Sequence, residues 1–84
     1  MQQATTVHDD RRRRVMQAMA ARDERRRRVL ELFEDDPLIL NVREVMRRLD
    51  DPDFSQAHVS IAVSELMSRG RLYTTIEGIR LVGR

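Results

Sequence analysis

Apolar positions recur in this chain with two different periods. Across residues 9–34 they are sparse: Val15, Met16 and Met19, then Val29, Leu30 and Phe33, with arginines filling the intervals. Their spacing and the good helix formers between them predict helix from Asp9 to about Glu34. Either one long helix or two with a break near Ala21–Asp23 fits. Asp35-Asp36-Pro37 ends that segment, because proline cannot continue a helix. Leu38-Ile39-Leu40 reads as a short strand. Asn41 is placed to cap a second helix, Val42–Leu49, with Glu44 at the capping-box position. That helix buries Val42, Val45, Met46 and Leu49 and leaves Arg43, Arg47 and Arg48 in water. Asp50-Asp51-Pro52-Asp53 breaks it, Phe54 is a core anchor, and Ser55 caps a third helix of about Gln56 to Arg69. Val59, Ala62, Val63 and Leu66 give this helix its buried face, and Gly70 supplies the left-handed residue just past its end. From there the period becomes 2. Arg71–Ile76 and Ile79–Val82 flank Glu77-Gly78, which predicts a tight hairpin that pairs Ile76 with Ile79. Leu72, Thr74, Ile76, Ile79 and Leu81 then face inward, with Tyr73 packed on Val82 outside.

The first segment holds a repeat. His8-Asp9-Asp10-Arg11-Arg12-Arg13-Arg14-Val15-Met16 recurs fourteen residues later as Arg22-Asp23-Glu24-Arg25-Arg26-Arg27-Arg28-Val29-Leu30. Fourteen residues is nearly four helical turns, so both arginine blocks fall on almost the same face, with acidic residues preceding each at ion-pairing distance. The first eight residues show no periodicity and are expected to form a disordered tail. The expected organisation is therefore a tail over 1–8, an arginine-rich helical extension over 9–28 and a compact domain over 29–84.

Composition sharpens this picture. With 84 residues there is room for one small core. All sixteen basic residues are arginine, and the formal charge of +2 conceals segregation: residues 1–34 sum to +3, residues 35–70 to −3 and residues 71–84 to +2. Planar guanidinium forks suit phosphates and carboxylates, so a polyanion meets the two ends of the chain first. The absence of cysteine removes disulfides, thiolate metal sites and cysteine nucleophiles, and His8 and His58 lack partners at ligand spacing. No nucleophile, base and electrophile converge, so neither an enzyme nor a cofactor or metal is expected. Nor does any apolar run approach a membrane span, and the N-terminus has no signal-peptide pattern. These features point to a cytoplasmic protein.

The order of helix, short strand, helix, tight turn, helix and hairpin resembles the winged helix-turn-helix superfamily of small prokaryotic or viral regulators, over residues 29–82. Asn41–Leu49 resembles that family's second helix, and Ser55–Leu66 followed by Arg69-Gly70-Arg71-Leu72 resembles its recognition helix running into the first wing strand. The resemblance implies a mainly α fold with a small β-hairpin (α+β). It also implies binding to double-stranded DNA, with the third helix in the major groove and the wing along the backbone. Carried over residue by residue, the base-reading positions are Gln56, Ala57, His58, Ser60, Ile61 and Ser64, and the backbone contacts are Arg47, Arg48, Arg71, Thr75 and Arg80.

The third helix exposes no arginine of its own before Arg69. Nonspecific affinity is therefore expected from the N-terminal blocks, Arg11, Arg12, Arg13 and Arg14 together with Arg25, Arg26, Arg27 and Arg28. The apolar stripe of the first helix suggests a homodimer formed through it. Two other functions fit the same residues: a docking module for a protein partner centred on Ile61 and the acidic turn, and an RNA-binding arm made by the arginine repeat.

Overall fold

The computed structural model describes the backbone of residues 2–83 and the side chains of residues 11–83. Three helices and three short strands follow one another as α1 (Gln2–Asp35), β1 (Leu38–Ile39), α2 (Val42–Leu49), α3 (Gln56–Ser68), β2 (Leu72–Thr75) and β3 (Gly78–Leu81). This is a mixed α+β chain with a three-stranded antiparallel sheet in the order β1-β3-β2.

The first helix is unbroken for 34 residues, about 51 Å at 1.5 Å per residue. It accounts for most of the 58 Å long dimension of the molecule. Neither glycine nor proline occurs before Pro37, so nothing in the sequence interrupts it. Helix therefore extends from Gln2 through the stretch expected to be a tail, and it crosses residue 28, where a boundary was expected, without a break. Met1 and Arg84 lie outside the described residues. The side chains of residues 11–20 are all exposed, whereas burial begins at Ala21 and is complete at Val29 and Phe33. One half of α1 is thus a core helix and the other half projects into solvent.

Val29 and Phe33 of α1, Val45 and Leu49 of α2, and Val59, Ala62, Val63 and Leu66 of α3 meet Ile39, Phe54, Leu72, Ile79 and Leu81 in a single core. Met46 and Met67 pack against its edge. Asn41 caps α2 by accepting the Glu44 amide at 2.9 Å. The Glu44 carboxylate does not complete the box; it turns outward to Arg47 and Arg48, since two guanidinium forks outcompete one backbone N–H. Asp50 closes α2 in the left-handed region, and Gly70 (φ 72°) does the same after α3.

The hairpin departs from its expected register. Thr75 pairs with Gly78, Thr74 with Ile79, Tyr73 with Arg80 and Leu72 with Leu81, so the two-residue turn is Ile76-Glu77. Ile76 is fully exposed at its tip, and Tyr73 faces Arg80 across the ladder in place of Val82. Two causes set this register. Thr75 Oγ1 accepts the amides of Glu77 and Gly78, both at 3.2 Å, and donates to the Gly78 carbonyl at 3.0 Å, closing the turn one residue early. Gly78 is needed in β3 itself: a Cβ there would lie 2.7 Å from the Ile39 carbonyl oxygen, where β1 crosses closely. Glycine serves strand pairing here, not the turn.

Candidate nucleic-acid interface

Helix α3 begins with a reciprocal cap. Ser55 Oγ accepts the His58 amide at 3.2 Å, and His58 Nδ1 accepts the Ser55 amide at 3.3 Å. Histidine here takes the role that Glu or Gln usually fills, which sequence reading missed because only the serine carries the common signature. With Nδ1 accepting, the neutral ring carries its proton on Nε2. His58 is therefore a cap first and a hydrogen-bond donor second.

Beyond the cap, the buried residues of α3 turn its other side outward. Gln56, Ala57, Ile61 and Ser64 are exposed, and His58 and Ser60 half-buried. The six base-reading candidates thus share one helix, and Ser68, one turn beyond Ser64, extends the exposed row. No charge lies on this row among the residues of α3.

The arginines divide into two groups. Arg26, one of those assigned to phosphate, is buried, and it binds Glu65 of α3 and Asp23 of its own helix. Arg22 joins the same carboxylate at 3.3 Å. Burial pushes the Glu65 pKa up, but the Arg22 hydrogen bond and the charges of Arg22 and Arg26 outweigh it and hold the carboxyl below its usual range. Arg27 is clasped by Glu24 and Glu31. Arg28 pairs with Asp51 across the α2–α3 turn and stacks over the Phe54 ring, 5.0 Å from its centroid. Arg47 and Arg48 both hold Glu44, and Arg48 reaches Asp36 at 2.8 Å. Bonded first to Arg47, Glu44 is driven down to about 2.

These five candidates for backbone contact, Arg26, Arg27, Arg28, Arg47 and Arg48, thus have their forks engaged by carboxylates. Their partners on other elements lie 12 to 39 residues away in the chain, beyond the reach of any local spacing rule. Two further candidates differ from these. Thr75 spends its hydroxyl on the turn, and Arg80 is half-buried with its Nε unpaired and Glu77 4.0 Å away.

Arg11, Arg12, Arg13, Arg14, Arg25 and Arg71 make no ion pair with described side chains, nor do Arg43 and Arg69, which sequence reasoning left out of the phosphate set. Arg25 lines a cleft of about 250 Å³ between α1 and α3, together with Arg22, His58, Ile61, Ala62 and Glu65. At 100° per residue, Arg11 and Arg14 lie on the same edge of α1 as Arg25. The exposed row of α3 is therefore neutral, and a file of guanidinium groups without an ion-pair partner among the described side chains leads away from its flank along α1. No described helix is long and apolar enough to cross a membrane. No family model matches the chain, and neither a known protein nor a solved structure is significantly similar to it.

Proposed function

We propose that this chain is a winged helix-turn-helix protein that binds double-stranded DNA with sequence preference and regulates transcription as a homodimer joined through α1. In this reading α3 lies in the major groove. Gln56 reads adenine, Ser60 and Ser64 bond base edges or phosphates, and Ile61 meets a thymine methyl. Phosphates are held by Arg25, Arg14 and Arg11 along α1 and by Arg71 at the start of the wing, while the paired arginines hold the fold together.

One observation carries the reading: the exposed polar row of α3 borders Arg25, the one member of its arginine block without a carboxylate partner among the described side chains. A phosphate there gains a bidentate partner without breaking an existing ion pair. Fluorescence anisotropy of the full chain on random-sequence duplex, titrated at several salt concentrations, tests it. Binding at micromolar concentration that weakens steeply with salt is the expected result. No binding at low salt overturns it. The exposed Ile61 on a face without cations then favours the second reading, a docking surface for a protein partner.

A further inference from the structure

Val15, Met16 and Met19 are 58%, 68% and 60% exposed and lie within two turns of one another on the projecting half of α1, an apolar edge flanked by arginine. We infer that this edge is covered by the same edge of a second copy, running antiparallel, about a two-fold axis between Gln17 and Ala18. The inference rests on the self-association in the reading above and is independent of the DNA target.

The charges select the direction and the register. Arg12, Met16, Met19 and Asp23 follow one another at intervals of four, three and four residues, the spacing of a heptad seam. An antiparallel partner centred between residues 17 and 18 sets Met16 against Met19 and Arg12 against Asp23, twice each by symmetry, so that Arg12 joins Arg26 on an Asp23 carboxylate whose side chain is 68% exposed. On the flank, Arg13 comes within two residues of the level of Glu24 of the second copy. Parallel pairing of the same edge stacks Arg12 on Arg12 and Asp23 on Asp23 and repels at both ends. A shift of one heptad in the antiparallel sense loses the methionine contact. The seam from Arg12 to Asp23 spans 12 residues, about 18 Å of helix.

The pairing edge lies about a quarter turn around α1 from the edge that docks on α3, formed by Arg22, Arg26, Val29 and Phe33. A two-fold axis perpendicular to the helices then keeps both copies of α3 on one side of the helix pair. Arg14 and Arg25 lie on the back of the pairing edge, so the second copy does not cover them.

Because the chain contains no cysteine, a single spin label at Glu34→Cys, an exposed position near the end of α1, reports the arrangement. Sedimentation equilibrium gives the mass across a concentration series, and double electron–electron resonance gives the label distance. A dimer with labels about 50 Å apart, whose dissociation constant rises about tenfold when Arg12→Glu sets an acid opposite each Asp23, is the expected result. Arg12 touches nothing in the core, so this variant folds. A dimer with labels about 20 Å apart or closer, or one indifferent to Arg12→Glu, overturns the antiparallel pairing but leaves self-association standing. A monomer at every concentration overturns both, and the anisotropy titration then decides the DNA reading alone.

Discussion

Arg25 and Arg27 are neighbours in one block of four, yet the structure assigns them opposite fates. Arg27 is held by two carboxylates, and Arg25 faces the α3 flank without one. Replacing each by alanine separates charge that is available from charge that is spent. Each neutralised phosphate contributes about 0.9 to the slope of log affinity against log salt. The proposed homodimer carries two copies of Arg25, so Arg25→Ala is expected to shallow the slope by about 1.8. Over a fourfold rise in salt, that is about a 12-fold smaller loss of affinity than the parent suffers. Arg27→Ala leaves the slope within about 0.3 of the parent, because a guanidinium held by Glu24 and Glu31 neutralises no phosphate. Fluorescence anisotropy on one random duplex, at four or more salt concentrations, measures both. Equal flattening by the two variants refutes the division of the arginines into paired and free. No change with either shows that this stretch of α1 does not meet phosphate.

Three further predictions concern the fold. Gly78→Ala meets the Ile39 carbonyl and also places alanine at φ 147°; chemical denaturation is expected to show a loss of more than about 2 kcal/mol, with β1 detached from β3. Phe33→Ala empties a fully buried site and costs about 3–5 kcal/mol in the same assay. Acid weakens the fold in a defined window. Glu44 carries an ordinary value of 4.5 when unfolded and about 2 when folded, so the unfolded chain takes up the proton first. Stability present above pH 4.5 is then lost as pH falls toward 2, and Glu44→Gln removes part of that dependence from the thermal melting profile.

Much of this architecture was legible in the sequence because its signals are local. Pro37 ends α1, Asn41 and Ser55 start the next two helices, and Gly70 closes α3, each within a few residues of the element that it bounds. The hairpin register was not legible. A Glu-Gly pair between apolar runs is a strong turn signal, and nothing nearby reveals that Gly78 is required by a strand nearly 40 residues upstream. The candidate site was legible in the same partial way. Periodicity alone puts Gln56, Ala57, Ile61 and Ser64 on one open face, since their neighbours must be buried. Which arginines remain free was hidden, because Arg26 and Arg28 find Glu65 and Asp51 only after the helices have packed. The same block therefore supplies both the internal ties of the fold and its external charge, and composition weights the two alike.

The junction of Arg22 and Arg26 with Glu65 also has a mechanical meaning. From there about 20 residues of α1 project away from the core, a lever of about 30 Å. A tilt of about 10° at this fulcrum sweeps the free end by about 5 Å, close to one helical turn. One carboxylate gripped by two guanidinium groups thus sets the aim of about half of the molecule's 58 Å length, and any change in that grip is read out far from where it occurs.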